Sequence, residues 1–369
     1  MKRLPRNPGK FEALETYTAF SRVHDLKMQS PEDTDKFLEM FGESLKASVE
    51  DLTLLHGKRT EILFGHLAAA LKGCRIVKSE DSGDVMVDDS EMALPDYRLT
   101  LKDGRQIFVE VKNRNHPKPT MQYVLHKNYV SKLQNYADAN GVPLYFAIFY
   151  RCLRVWTLLP ISAFKETQNK YITNAVHSLA NSELGILGDL MIGTKPPITF
   201  ELVADKTKDI TVDENGVAHF IIGDAKIYAA GEEIEDKDER NIAFYLVRYG
   251  KWDCDEPEGI LDENKVLERV RYTFVPHDME EAKRDGFSII GHLSSMITEA
   301  FNEQTIYEQK VTAMDTRQEP EVFSVKIAPD YQGKTLKLWR FRMQANPDFD
   351  MDSNAENHYH LTMDSKPDE

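Results

Sequence analysis

The sequence predicts an α/β fold, with a mixed central sheet flanked by helices in the first half and an α+β domain after it. Three observations support this fold class. Two stretches on either side of residue 103 alternate between apolar and polar residues, and helical patterns come before and after them. A nearly continuous apolar run, VPLYFAIFYRC, follows and is typical of a buried strand. At 369 residues, the chain is long enough for two domains that each bury a core.

The helices and strands of the first half can be assigned in order along the chain. Residues up to about Asp51 are helical and polar in pattern, and RTEILFGHLAAALKGC has apolar residues at helical spacing up to a capping Gly73. CRIVKSE and DVMVDD predict short strands. DYRLTL and RQIFVEVK flank Lys102-Asp103-Gly104 and predict a hairpin. NYVSKLQNYADANG predicts a helix, and LRVWTLLP predicts a strand after the buried one.

The second half is richer in strand and turn patterns. One helix is predicted near SIIGHLSSMITEAF, whereas Tyr245, Tyr249 and Trp252 are interpreted as strand and core residues. We expect five segments: a helical N-terminal segment (1–55), an α/β domain (56–164), a helical connector (165–197), an acidic α+β domain (198–345) and a disordered acidic tail (346–369).

Charge is distributed unevenly along the chain. The net charge is −15, but residues 1–160 carry 23 Lys and Arg against 21 Asp and Glu. The remainder carries a charge of −17 and is therefore a poor surface for nucleic acid. The first half can still present a basic face to phosphates, while the second half suits self-association or a protein partner.

The cysteines and the hydropathy pattern limit the cellular location. Cys74, Cys152 and Cys254 show no paired spacing, which argues against a disulfide framework or a zinc site. No apolar run approaches the ~20 residues of a membrane helix. The N-terminal stretch lacks the apolar core of a secretory signal. We therefore expect a cytoplasmic protein with no membrane partner.

The predicted hairpin carries unusual charges. Asp96 opens its first strand, and Glu110 and Lys112 lie two residues apart on the second strand, so that both point to one face. The turn brings Glu110 back near Asp96. Two carboxylates can hold Mg²⁺, which acidifies bound water and neutralises charge on phosphorus. A lysine beside them can orient the water, and the hairpin therefore predicts phosphodiester hydrolysis.

These residues resemble a known family. Pro95-Asp96 followed by Glu110-Val111-Lys112 on the next strand resembles the signature of the PD-(D/E)XK nucleases, which include restriction endonucleases and Holliday junction resolvases. The resemblance covers about Thr60 to Pro160 and implies a restriction-endonuclease-like core in residues 56–164. It implies an Mg²⁺-dependent endonuclease, with Mn²⁺ as a substitute, that acts on DNA in restriction, antiviral defence or DNA processing. A two-strand cut further implies a homodimer or higher homo-oligomer.

The resemblance also implies residue roles. Asp96, Glu110, the Val111 carbonyl and Glu61 on the preceding helix would be metal ligands, and Lys112 the catalytic lysine. Residues on the following helix and after the motif strand would contact the nucleic acid; the candidates are Lys132, Gln134, Arg114 and Lys118.

Other interpretations of the same residues stay open. Asp96, Glu110 and Lys112 could form a surface ion-pair group worth ~0.2–1 kcal/mol. Glu61 could lie in the first turn of its helix and interact favourably with the helix dipole, with no further role. Lys132 and Gln134 could be a solvated helix face. Glu80, Asp81 and Asp84 are either further acidic candidates near the site or, as we expect, a solvated loop. His66 is expected to be structural.

Two further functions compete with the nuclease. The first is a catalytically silent, nuclease-like subunit that binds nucleic acid or serves assembly. The second is a protein-interaction factor whose acidic half imitates nucleic acid. The acidic domain is assigned to assembly or regulation in the nuclease hypothesis.

Overall fold

The computed structural model describes residues 1–4, 7–9, 12–82, 85–88, 91–213, 217–349 and 351. They form two compact units. The first comprises Met1–Gly188, Phe301–Pro320 and the described part of Gln344–Glu369. The second comprises Asp189–Ala300 and Glu321–Met343. None of the helices in the described residues has the length and apolar character needed to cross a bilayer.

The first unit contains the predicted α/β core. Its helices and strands up to Gly188 are α1 (Glu12–His24), α2 (Pro31–Glu50), α3 (Leu52–Ala70), β1 (Cys74–Ser79), β2 (Tyr97–Leu101), β3 (Gln106–Arg114), β4 (Tyr123–His126), α4 (Lys127–Asn140), β5 (Leu144–Tyr150), β6 (Val155–Pro160), β7 (Lys165–Glu166), β8 (Lys170–Thr173) and α5 (Ala175–Ala180). Short 3-10 helices lie at Ile161–Ala163 and Leu184–Leu187.

The central sheet has the strand order β1-β2-β3-β5-β6 and is mixed. Strands β2 and β3 pair antiparallel across the hairpin, with Tyr97 opposite Val109. Strand β3 then pairs parallel with β5, because α4 returns the chain to the same end of the sheet. This arrangement confirms the predicted α/β core with a mixed sheet.

Local sequence explains the turns that shape this core. Gly104 has a φ of 93° in the hairpin turn, a conformation that residues with a Cβ rarely adopt. Gly141 ends α4 with a φ of 65°, and the next N–H, from Val142, bonds to the Ala137 carbonyl. Helix α3 begins at its Asp51 cap, whose side chain accepts N–H bonds from the first turn.

Helices cover both faces of the sheet. On one face, Phe64 of α3 packs against Tyr97 and Trp156, with ring centres 5.7 and 5.5 Å away. On the other face, α4 packs over Phe108, which belongs to a buried cluster with Leu133. Side chains alternate along β3, so Glu110 and Lys112 share the α4 side with Phe108.

The remaining helices and strands, in chain order, are β9 (Met191–Thr194), β10 (Ile198–Ala204), β11 (Thr211–Val212), β12 (Ala218–His219), β13 (Ile222–Ala229), β14 (Glu232–Glu233), α6 (Lys237–Tyr249), β15 (Asp253–Cys254), β16 (Glu258–Leu261), β17 (Leu267–Val275), α7 (Met279–Asp285), β18 (Ser288–His292), α8 (Leu293–Thr305), β19 (Ile306–Tyr307), β20 (Lys310–Val311) and β21 (Leu338–Phe341). Strands β19 and β20 belong to the first unit, and a 3-10 helix lies at Pro320–Phe323. The second unit is built on an antiparallel sheet of the order β14-β13-β10-β17-β15, in which β16 also pairs with β17, and on a small sheet of the order β18-β9-β21.

Three sequence predictions of secondary structure were wrong. The segment 165–197 is not mainly helical, because Tyr171, Ile172 and Thr173 form β8 and pair with β4. Residues 85–88 form no strand, since β1 pairs directly with β2 and leaves Val85 and Val87 exposed. Tyr245 and Tyr249, which had been expected in a strand, lie in helix α6.

Most of the predicted disordered tail, 346–369, lies outside the described residues. Asp84, for which a solvated loop was expected, also lies outside them. At the start of that tail, Asn346 donates its N–H to the Ala180 carbonyl at 2.8 Å. The functional roles expected for the five predicted segments stay predictions.

Candidate active site

The end of the β2–β3 ladder places two carboxylates together. The pairing between β2 and β3 ends where Tyr97, the first residue of β2, lies opposite Val109. Asp96, one residue before Tyr97, therefore lies opposite Glu110, one residue after Val109. Both carboxylate residues are buried, at 9% and 5% exposure. The Asp96 carboxylate accepts a 2.6 Å hydrogen bond from the backbone N–H of Val111. This bond fixes Asp96 against the strand that carries the remaining motif residues.

Glu110 and Lys112 meet directly on the α4 side of the sheet. The Lys112 ammonium lies 2.6 Å from Glu110 Oε1 and donates to the Tyr129 hydroxyl at 2.8 Å. That hydroxyl in turn donates to Glu110. The Lys112 Nζ also lies 4.9 Å from the centre of the Tyr129 ring. A closed triangle of carboxylate, ammonium and phenol therefore holds the lysine in place.

Asp96 also belongs to a second acidic group. Glu61, Asp81 and Asp96 each offer a carboxylate oxygen, and these atoms lie within 4.8 Å of one another. The ammonium of Lys58 bridges two of them, at 2.6 Å from Glu61 and 3.0 Å from Asp81. The Glu61 carbonyl accepts a hydrogen bond of 3.0 Å from the Tyr97 hydroxyl, which anchors this turn of α3 to β2.

Glu61 does not lie where the helix-dipole interpretation requires. Helix α3 begins at Leu52, more than two turns before Glu61. The dipole effect falls off within the first turn of a helix. The position of Glu61 therefore owes more to the acidic group it joins than to the helix terminus.

The electrostatics of the site follow from crowding negative charge in a buried place. Burial, and then the charges of Glu110 and Glu61, raise the pKa of Asp96 to about 8, against the opposing hydrogen bond from Val111. Burial alone would lower the pKa of Lys112, but the adjacent Glu110 carboxylate outweighs it and raises that pKa. The metal-free site thus holds Lys112 charged while it disfavours a negative charge on Asp96.

This donor set fits a hard divalent cation. Carboxylate oxygens are the ligands that Mg²⁺ and Mn²⁺ prefer. The carboxylate oxygens of Glu61, Asp81 and Asp96 lie within 4.8 Å of one another, close enough for more than one of them to bind a single cation. In an extended strand, the N–H and C=O of one residue point to the same side, so the Val111 carbonyl also points towards the edge beyond Tyr97.

The four residues predicted to contact nucleic acid lie outside this group, and three of them have side-chain partners elsewhere. Lys132 pairs with Glu91 at 3.1 Å, and Gln134 donates to Asp138 on its own helix at 2.7 Å.

Arg114 donates to the Gln122 carbonyl at 2.8 Å and lies over the Tyr123 ring. Lys118 is exposed on the loop after β3.

Two other predicted residues have structural surroundings. Glu80, expected in a solvated loop, is buried and accepts from the Tyr136 hydroxyl at 2.8 Å while Arg98 lies 3.2 Å away. His66 is buried, and its Nε2 lies 2.8 Å from Asp315. The interpretation of His66 as structural agrees with this contact.

The comparisons with known proteins give little further information. No family model matches this chain. No curated protein matches it either. Among solved structures, it is similar to a Holliday junction resolvase from the archaeal hyperthermophile Archaeoglobus fulgidus, with 17% sequence identity over 30% of this chain and 87% of that one. The TM-score is 0.23, and the likeness therefore assigns neither fold nor function.

Sequence reasoning missed three residues of the site. Asp81 had been interpreted as part of a solvated loop, and Lys58 had not been singled out. Tyr129 had not been predicted to belong to the site, yet its hydroxyl donates to Glu110. It is the third residue of α4, the first helix after the motif strand, and this position was the available signal.

Proposed function

We propose that the first unit is a divalent-metal-dependent nuclease that hydrolyses phosphodiester bonds. The observation that carries this proposal is the convergence of Asp96, Glu110 and Lys112 at the end of one hairpin, with the Glu61 and Asp81 carboxylates next to Asp96. The sequence order of the first three also resembles the PD-(D/E)XK signature. A surface ion pair would not require carboxylates at 9% and 5% exposure, because burying them costs free energy.

The residues that would hold Mg²⁺ or Mn²⁺ are the carboxylates of Asp96, Glu61 and Glu110, the Val111 carbonyl and, in addition to the sequence prediction, Asp81. When bound, the cation supplies an acidified water and neutralises charge on the scissile phosphate. The raised pKa of Asp96 supports a cation site, since a nearby positive charge would relieve the repulsion among these carboxylates.

The chain's own groups supply orientation and charge. Lys112 is charged and directed by Glu110 and Tyr129, so it is placed to orient a water molecule or to stabilise the developing negative charge. Tyr129 acts through these two residues and is a positioning residue. The hydrogen bond between Val111 and Asp96 keeps Asp96 in register with Glu110.

The substrate proposed is DNA, cut in the setting of restriction or antiviral defence. Arg114, Lys118, Lys132 and Gln134 are the proposed contacts to the phosphate backbone. A homodimer would supply the two active sites that a two-strand cut needs. The acidic second half would serve assembly or regulation rather than DNA binding, since its charge repels phosphates.

Cleavage of supercoiled and linear DNA by the purified full-length protein tests the proposal. We expect nicking with Mg²⁺ or Mn²⁺, none with EDTA, and a loss of at least about 100-fold in Lys112→Ala and Glu110→Gln. Lys102→Ala, in the turn of the same hairpin, should cleave normally and is the matched control. Cleavage that survives both site substitutions would falsify the assignment.

One observation favours the silent alternative, a nuclease-like subunit that binds nucleic acid or serves assembly. Lys58 already pairs with Glu61 and Asp81, and Lys112 pairs with Glu110, so three of the four carboxylates have a lysine partner within the chain. For this alternative we expect salt-dependent DNA binding by the full-length protein, no cleavage of DNA or RNA with any divalent metal, and binding unchanged in Glu110→Gln.

A further inference from the structure

Helix α2 packs on α1 through aromatic side chains along one side. The Phe37 ring lies 5.0 Å from Tyr17 and 5.4 Å from Phe20, and Phe41 lies 6.1 Å from Phe20. These aromatic contacts account for one flank of the helix. None of the twenty residues of α2 is buried.

An apolar stripe runs along α2 beside that aromatic flank. Leu38, Leu45 and Val49 are exposed at 57%, 53% and 54%, and Phe41 at 37% adjoins them. The spacings of seven and four residues put them on one face of the helix. Helices in proteins owe most of their stability to a packed apolar face, whereas this face meets solvent. The stripe therefore has the pattern of a helix–helix contact surface.

Gly42 lies beside the stripe, between Phe41 and Leu45. A glycine inside a helix destabilises it by roughly 0.5–1 kcal/mol relative to alanine. Among the described residues, nothing lies within 4 Å of where its Cβ would be. The fold of this chain therefore does not require a glycine here, whereas close approach of another helix would use the space.

We propose that the stripe of α2 binds the same stripe of a second copy of this chain, with the two helices antiparallel about a twofold axis near Gly42. The proposal does not depend on the proposed nuclease function, because it concerns a surface away from the hairpin residues.

Charge complementarity argues for this occupant and this direction. In a twofold antiparallel pair, Leu38 lies opposite Val49, and the flank of α2 that carries Glu39 and Lys46 meets the same flank of the other copy. Lys46 then lies beside Glu39 of the second copy, and the pair occurs twice. In this chain, neither of the two residues forms an ion pair with a described residue, and both are exposed.

A parallel pair fits the same surface poorly. With the helices in register, each stripe residue would face its own counterpart. The flank that carries Glu39 and Lys46 would then meet the aromatic flank of the other copy, which already packs on α1. Flanking charges set helix orientation in coiled coils in this way.

The first test is the oligomeric state of the full-length protein, measured by sedimentation velocity over a range of concentrations. We expect a dimer that Leu45→Glu converts to a monomer. Leu54→Glu, at an exposed leucine of α3 outside the stripe, is the matched control and should stay dimeric. A wild-type monomer throughout, or a dimer that survives Leu45→Glu, would overturn the proposal.

Charge reversal tests the orientation without changing the apolar stripe. Lys46→Glu and Glu39→Lys should each weaken dimerisation by about tenfold, because each replaces two attractive contacts by two repulsive ones. The double variant should restore the wild-type affinity. Failure of the double variant to do so would exclude the antiparallel contact.

Disulfide trapping gives an independent readout of orientation. In a Cys152→Ser, Cys254→Ser background, we expect Leu38→Cys and Val49→Cys proteins to cross-link with each other when mixed. Neither should cross-link readily with itself. Self-cross-linking of Leu38→Cys would instead indicate a parallel pair and contradict the proposal.

Discussion

The carboxylate of Asp96 accepts a 2.6 Å hydrogen bond from the backbone N–H of Val111. Strand β2 pairs with β3 only as far as Tyr97 opposite Val109, so the Asp96 side chain takes a backbone donor that β2 no longer pairs. The contact ties one candidate ligand to the strand that carries Glu110 and Lys112. Asp96 is buried beside other carboxylates, and its titration therefore makes the site sensitive to pH.

Metal-free protein should become less stable as pH rises from about 4 to about 8. An aspartate in the unfolded chain has a pKa near 3.9, whereas burial and the nearby carboxylates raise that of folded Asp96 to about 8. The folded state therefore holds more protons in this window, and its free energy of unfolding falls with rising pH. Denaturant titrations in EDTA at pH 5 and pH 9 measure the change.

Asp96→Asn should remove much of this pH dependence and raise stability at pH 9 by at least about 1 kcal/mol, since the amide can still accept from Val111 without a charge. Asp103→Asn, in the exposed turn of the same hairpin, should leave the slope above pH 5 unchanged. Equal slopes in all three proteins would show that the carboxylate of residue 96 is not the titrating group.

Tyr129→Phe should slow DNA cleavage by about 10- to 100-fold if the unit is a nuclease. The substitution removes a hydroxyl that donates to Glu110 and accepts from Lys112, and a hydrogen bond to a charged group contributes about 1.5–3 kcal/mol. The ring under the ammonium remains. Single-turnover cleavage at saturating DNA measures the effect on the chemical step.

In the proposed nuclease Tyr129 is a positioning residue, so its signature should be a lower kcat with little change in KM. Thermal unfolding should shift by no more than a few degrees. Tyr307→Phe, at an exposed tyrosine, is the control and should leave both constants unchanged. A pure KM effect would mean that Tyr129 contacts the nucleic acid rather than orienting Lys112.

The hairpin and its neighbours could be predicted because their signals are local. The turn at Lys102-Asp103-Gly104 and the period-two pattern predicted β2 and β3, and the apolar run predicted β5. The same periodicity indicated that Glu110 and Lys112 would share a face. These inferences need only the geometry of one hairpin and one strand.

The residues that the sequence did not reveal depend on contacts between distant elements. Asp81 joins Asp96 only because β1 pairs with β2, and Lys58 reaches it across from α3. Asp81 follows a strand in a stretch of acidic residues, which resembles a solvated loop in the sequence. No local pattern distinguishes the carboxylate that joins the acidic group from those that do not.

Helix α6 was missed for a different reason. Phenylalanine, tyrosine and valine in NIAFYLVRY favour strands, and that preference hid a helical period in Glu239, Ile242, Ala243 and Leu246, all of them buried. Asp236 just before it caps the helix by accepting N–H bonds from its first turn. The capping residue and the spacing together were the signal that would have identified the helix.

Lys58→Met should strengthen the binding of Mn²⁺, by about tenfold or more. Its ammonium pairs with both Glu61 and Asp81, and a divalent cation at the acidic group must compete with it. Asp81→Asn should have the opposite effect because it removes a candidate ligand. Calorimetric titration of the purified full-length protein with Mn²⁺ measures both.

Lys78→Met is the matched control for this prediction. It removes one positive charge nearby, but Lys78 pairs with Glu80 rather than with the acidic group. The affinity for Mn²⁺ should stay within about twofold of wild type, since exposed charges are screened by salt. If Lys78→Met strengthens binding as much as Lys58→Met, the effect reflects overall charge and not the bridge to Glu61 and Asp81.

Leu133→Ala should destabilise the first unit by about 2–5 kcal/mol and loosen the candidate site with it. Leu133 is 1% exposed in the cluster that joins α4 to the sheet, and truncation leaves a cavity there. Helix α4 also carries Tyr129, so weaker docking should free Lys112. Hydrogen–deuterium exchange of peptides from β3 and β5 reports the stability of this unit alone. We expect faster exchange there by at least about tenfold. Leu54→Ala, at a half-exposed helical leucine, should leave this exchange unchanged. Equal protection in both variants would mean that α4 does not stabilise the sheet beneath the candidate site.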